Sequence, residues 1–143
     1  MIALDTNIVV YAHRPDLSDH GAATAAIEDL VARGTWGLPW PVAHEFVRVV
    51  TDGRRFEFPT PLDVALETIA ALLGGAGARG LGEGPAHWSR LSEVARAGRA
   101  SGPLFYDARI AAICLAEGVS ELWTADRDFS RFPALLTRNP LVV

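Results

Sequence analysis

Short apolar runs of strand length alternate along this chain with longer stretches of helical period, and that alternation confines the fold to an α/β domain on a parallel sheet. Met1 to Leu4 reads as the first strand. Asp5-Thr6-Asn7 follows at once, a cluster of helix-capping residue types, so a first helix runs through Ile8, Val9 and Tyr11 and stops near Pro15. Between Asp19 and Arg33, Ala22, Ala26, Ile27, Leu30 and Val31 recur at steps of three and four, with Gly34 placed as a C-cap. Trp36 to Leu38 is a second strand. Pro41 then sits where a first helical turn accepts proline, ahead of Val42 to Thr51, and Pro61 opens a helix through Leu73 in the same way. Gly75, Gly77 and Gly80 have the spacing of a dinucleotide fingerprint, but they follow a helix instead of a strand; a turn with a short strand at Leu81 is expected there. Pro85 to Ala97 and Leu104 to Glu117 are further helices, the second ended by Gly118, and Glu121 to Thr124 is the last clear strand.

A chain of 143 residues suits one domain, because two cores would each be too small to bury much apolar surface. A single domain over residues 1–143 is therefore expected. No apolar stretch is long enough to span a bilayer, and the N-terminal run meets Asp5 before any basic leader, so a cytoplasmic protein without a membrane partner is expected. The single Cys114 permits neither an internal disulfide nor a multi-cysteine zinc site. All thirteen basic residues are arginine. Without lysine the chain cannot be a P-loop nucleotidase, a Schiff-base enzyme or a Ser-Lys hydrolase.

The chemistry lies in acids at unusual addresses. Asp5 stands where a buried strand leaves the sheet, the end at which open parallel sheets bind ligands, although a helix cap alone would also explain it. In the helix from Val42 the apolar stripe Val42, Phe46, Val49 and Val50 lacks its i+3 member, and that member is Glu45. A glutamate there needs a partner arginine or a stripe edge that reaches water. Asp107 begins the most apolar helical face, with Ile110, Ala111, Cys114 and Leu115 after it, in a first turn where the helix dipole also favours an anion. Asp126 and Asp128 follow the Trp123-Thr124 strand end as Asp5 follows the first, with capping or turning the Phe129 segment as the plainer role for Asp128.

Acids gathered at one sheet edge repel and raise one another's pKa unless a cation sits between them. Arginines can serve, and a hard divalent ion serves better, since Mg²⁺ or Mn²⁺ takes oxygen ligands and keeps water in its open positions. Zinc is disfavoured, because His13, His20, His44 and His87 show no paired ligand spacing. A carboxylate-held Mg²⁺ suits phosphate-ester cleavage by a metal-activated water. The net charge of -4 does not exclude a nucleic acid: removing those five acids from the seventeen leaves twelve against thirteen arginines. Arg14, Arg127 and Arg109 lie nearest the acids in sequence and are candidates for substrate phosphate. Arg109 ranks last, since two helical residues turn it about 200° from Asp107. A haloacid-dehalogenase phosphatase is excluded by Asn7, which stands where its second Asp is required, and a phospho-receiver domain by the missing lysine.

With these positions in place the chain resembles a PIN-domain ribonuclease, specifically the VapC-like toxin of a toxin-antitoxin pair. The resemblance rests on Leu4-Asp5-Thr6-Asn7, Val42-Ala43-His44-Glu45-Phe46, Tyr106-Asp107-Ala108-Arg109-Ile110-Ala111-Ala112 and Leu122-Trp123-Thr124-Ala125-Asp126-Arg127-Asp128-Phe129, in that order, with Asn139-Pro140-Leu141 similar to one branch. It implies a three-layer α/β/α domain with a central, mainly parallel sheet and a Mg²⁺- or Mn²⁺-dependent endoribonuclease. Asp5, Glu45, Asp107 and Asp126 match the acidic quartet, with Asp5, Asp107 and Asp126 as metal ligands. Asp128, Thr6 and Thr124 match accessory positions, while Pro103 departs from a frequently polar one. The resemblance also implies an RNA substrate, a homodimer and a cognate antitoxin, which by the charge pattern would insert an Arg or Lys among the acids. A structure-specific DNA nuclease and a catalytically weak PIN-fold binding module are the alternatives.

Overall fold

The computed structural model describes residues 1–142. Val143, the last residue of the single domain expected from the sequence, lies outside the described residues.

Among the described residues five strands form one sheet in the order β3-β2-β1-β4-β5, every neighbouring pair parallel. They are β1 (Ile2–Leu4), β2 (Trp36–Pro39), β3 (Ala78–Leu81), β4 (Glu121–Trp123) and β5 (Thr137–Arg138). Six helices connect them: α1 (Thr6–His13), α2 (His20–Ala32), α3 (Trp40–Val50), α4 (Leu62–Leu73), α5 (His87–Gly98) and α6 (Leu104–Ala116). A short 3-10 turn, Arg127–Arg131, leads from β4 towards β5.

Successive residues of a strand face opposite sides of its sheet, and both Ala3 and Leu4 are buried, as is all of β2. Both faces of the sheet are therefore covered, as a parallel sheet requires. Helix α1 packs against both α2 and α3, α3 packs against α4, and α5 packs against α6, giving the expected three layers. The core is continuous, running from Leu4, Ile8 and Phe46 through Trp36 and Leu38 to Ile113, Leu122 and Trp123.

Two of the glycines in the false fingerprint have packing roles. A Cβ on Gly80 would enter the Trp40 indole, and one on Gly77 would enter the backbone at Gly34, which itself adopts a φ of +107° just after α2.

The strand order positions the site. From β1 the chain adds β2 and then β3 on one side, and returns to place β4 and β5 on the other. The order reverses between β1 and β4, where Leu4 lies in register with Trp123. Connections leaving these two strands diverge, and the crevice they leave at the carboxyl ends is where doubly wound sheets bind ligands. The residues that follow are Asp5 on one side and Thr124 on the other.

Candidate active site

Asp5 caps α1, its Oδ1 accepting from the Thr6 backbone N–H at 2.8 Å. Oδ2 accepts from the Thr124 hydroxyl at 2.7 Å and from Asn7 Nδ2 at 3.4 Å. Thr124 in turn receives the Asp126 N–H on its Oγ1 at 2.9 Å, and Asn7 Oδ1 receives the Ala125 N–H at 3.2 Å. One hydrogen-bonded chain thus fixes the segment after β4 to the segment after β1. The Thr6 hydroxyl extends it, donating to Glu45 Oε2 at 3.0 Å. Asp126 Oδ1 accepts the Asp128 N–H at 2.9 Å and so caps the 3-10 turn.

Asp107 stands outside this network, in the first turn of α6. One carboxylate oxygen from each of Asp107, Asp126 and Asp128 lies within 4.8 Å of the other two. Two adjoining clefts share Glu45, Asp107 and Asp126 in their walls. The larger, about 650 Å³, also has Asp128, Arg48, Tyr106 and Arg109; the smaller, about 210 Å³, has Asp5, Thr6, Asn7 and Arg55.

The electrostatics follow from burial. Asp5 is 5% exposed, and its desolvation pushes its pKa up to about 6; the Thr124 and Thr6 hydrogen bonds hold it down, while the Glu45 and Asp126 charges add to the rise. Burial likewise pushes Asp107 up to about 7, helped by the charges of Asp126, Asp5, Asp128 and Glu45. Among the described residues no arginine forms a salt bridge with Asp5, Asp107, Asp126 or Asp128. The arginine route to neutrality is therefore not taken here. The all-oxygen donor set suits a hard cation: metal–oxygen bonds of about 2.1 Å place opposite ligands roughly 4.2 Å apart, close to the spread of these carboxylates.

Several sequence expectations change. Glu45 is not buried in the core stripe; its side chain is 43% exposed, 3.6 Å from Arg48, and Ala43 takes the buried flank of α3 instead. Arg14 is withdrawn as a phosphate ligand. Its guanidinium is buried over the Phe56 ring, donating to the Phe58 carbonyl at 2.8 Å and pairing with Asp16 at 2.8 Å, away from both acid clefts. Arg127 is exposed and lines neither cleft. Arg109, ranked last from its helical angle, does line the larger cleft, where its long side chain pairs with Glu83. Asn7, Arg48, Arg55 and Tyr106 were not selected as site residues from the sequence. Arg48 was readable as the i+3 partner of Glu45, and Arg55 carries no local signal because a turn brings it back to the cleft.

A family model described as PIN domain matches residues 2–135. Over 142 residues the chain is 38% identical to Ribonuclease VapC43 of Mycobacterium tuberculosis, covering 99% of this chain and 96% of that protein. Among solved structures, VapBC2 from Rickettsia felis bound to a DNA fragment from their promoter superposes with a TM-score of 0.71 at 21% identity, covering 97% of this chain and 98% of that one. Mycobacterium tuberculosis VapC20, described as a sarcin-ricin loop cleaving toxin, superposes with a TM-score of 0.66 at 19% identity, covering 91% of this chain and 93% of that one. These two structural likenesses show the fold.

Proposed function

The chain belongs to the PIN-domain family, and from that membership together with its acid clefts we propose a Mg²⁺- or Mn²⁺-dependent endoribonuclease that is the toxin of a toxin-antitoxin pair. The observation that carries this reading is the meeting of five carboxylates at the sheet's switch point with no arginine paired to four of them.

Asp107, Asp126 and Asp128 would hold the ion, with Asp5 as the deeper ligand beside Asp107 and Asp126. A bound divalent ion would lower the pKa of a water and offset charge growing on the phosphoryl oxygens. Thr124 and Thr6 orient Asp5, one donating to Oδ2 and the other to Oδ1. Glu45, held at Oε2 by the Thr6 hydroxyl and facing Arg48 with Oε1 at 3.6 Å, borders both clefts beside the proposed ion site. Asp107 must lose its own proton before it can serve as a ligand, which ties activity to pH.

An antitoxin is expected to silence this site with an Arg or Lys set among Asp5, Glu45, Asp107 and Asp126. A homodimer acting on RNA in the cytoplasm completes the proposal. The test is purified protein on end-labelled RNA and on single- and double-stranded DNA, with Mg²⁺, with Mn²⁺ and with EDTA. Metal-dependent cleavage of RNA alone supports the reading; cleavage of DNA alone favours a DNA nuclease, and binding without cleavage a binding module.

A further inference from the structure

Glu83 has no part in the hydrolytic chemistry, yet it stands at the acid-bearing end of the sheet. Neighbouring strands are parallel throughout, so the segment after β3 leaves from the same end as Asp5 and Thr124. That segment is seated on Trp40, the first residue of α3: a Cβ on Gly80 would enter the indole, and one on Gly82 would lie 3.2 Å from it. Glu83 follows directly. Its Oε1 accepts from Arg109 Nε, and His87 Nε2 lies 3.8 Å from the same oxygen. Arg109 lines the larger cleft with Asp107, Asp126 and Asp128, whereas Glu83 does not line it. The bond therefore takes the guanidinium by its Nε, and among the described residues Nη1 and Nη2 of Arg109 make no hydrogen bond.

We propose that Glu83 is a positioning residue, holding Arg109 by Nε so that its two Nη groups meet one phosphate of the RNA beside the acids. This rests on the ribonuclease reading above and assigns a role to a side chain outside the acid clefts. A guanidinium carries five donors in a flat fork, and its edges can serve two acceptors at once. A long arginine side chain loses rotamer freedom when it grips a ligand, and a bond already made at Nε removes part of that loss before binding. Stability does not explain the pair, because both side chains are 36% exposed and ion pairs in contact with water contribute little. Charge alone does not explain it either. A carboxylate near a phosphate cleft repels the substrate, so Glu83 is a cost to binding unless it acts through Arg109. Arg48, the other arginine of this cleft, faces Glu45 with Nη2, so part of its fork is already taken.

The experiment is fluorescence anisotropy of a short labelled single-stranded RNA, with Ca²⁺ replacing Mg²⁺, on wild type, Glu83→Ala, Glu83→Gln, Arg109→Gln and the double variant Glu83→Ala/Arg109→Gln. Cleavage of the same RNA by wild type is measured beside it with Mg²⁺ and with Mn²⁺. The pair is exposed, so the variants are expected to keep the wild-type melting temperature. Arg109→Gln should weaken binding by about tenfold. It should also reduce the slope of log K against log salt by about 0.7, the single-strand value for one lost phosphate contact. Glu83→Ala should weaken binding by about threefold even though it removes a negative charge. Glu83→Gln, whose amide oxygen still accepts from Nε, should bind at least as tightly as wild type. In the double variant the Glu83 change should add no further weakening to that of Arg109→Gln. Glu83→Ala that binds as tightly as wild type, or that weakens binding by the same factor when Arg109 is already glutamine, overturns the proposal, and wild-type RNA cleavage then keeps the ribonuclease reading. Wild type that binds no RNA overturns both. A wild-type protein whose binding follows the expected pattern but which cuts no RNA with Mg²⁺ or Mn²⁺ overturns the ribonuclease reading and leaves the positioning role standing.

Discussion

Asp5 is a helix cap and a site residue at once, and the capping bond explains how a carboxylate survives at 5% exposure. The remaining cost of burial appears in its pKa. Native Asp5 and Asp107 keep their protons to about 6 and about 7, whereas the unfolded chain releases them near 3.8. Between those values the native state binds more protons, so the ion-free protein should lose stability as pH rises from about 4 to about 7. Asp5→Asn removes the charge at neutral pH without changing size. It should raise stability of the ion-free protein there by at most on the order of 3 kcal/mol, less what the amide loses as an acceptor, reduce the pH dependence to the part Asp107 carries, and abolish RNA cleavage. Thermal melts across this pH range check the first two points, and a variant no more stable than wild type would refute the burial account. Thr124→Val deletes the hydroxyl that pulls the Asp5 pKa down. It should shift the acidic limb of the pH-rate profile to higher pH and cost about 1–2 kcal/mol, since the Asp126 N–H also loses its acceptor.

At the scale of elements, the legible features were those carried by local period and capping. All six helices and four of the five strands stand where the apolar spacing and the proline and glycine signals put them. β5, two exposed residues pairing with β4, carries no apolar pattern and exists because the 3-10 turn delivers it to an open sheet edge. The acids were legible for the same reason, each interrupting a pattern or following a strand end. Glu45 shows where that logic stops: a stripe can be counted from sequence, but which flank reaches water depends on what packs beside α3. Arg14 shows it again, since closeness in sequence to Asp5 says nothing of the loop holding Phe56 and Phe58 that encloses it. Arg14→Met should therefore lower stability by about 1 kcal/mol, because it removes the donor to the Phe58 carbonyl. The cleavage rate per folded molecule should stay at the wild-type level. Chemical denaturation paired with a cleavage assay separates the two effects, and lost activity at intact stability would return Arg14 to the site.

For the whole molecule, topology and charge act together. Reversal of strand order brings two strand ends side by side, the Asp5-Thr124-Asp126 chain locks them, and α3 and α6 add Glu45 and Asp107 from their own layers. No segment of the sequence contains the site; only the fold does. Because like charges are held together by the rest of the structure, a divalent ion should stabilise the fold by mass action, raising the wild-type melting temperature with concentration. The most direct measurement of the central claim is calorimetric titration of Mn²⁺ into wild type and Asp107→Asn, at about pH 8 and about pH 5, on either side of the raised carboxylate pKa values. The account predicts wild-type binding that is much tighter at the higher pH, and at least about tenfold weaker in Asp107→Asn. Wild type that binds no Mn²⁺, or Asp107→Asn that binds it as tightly as wild type, would contradict it.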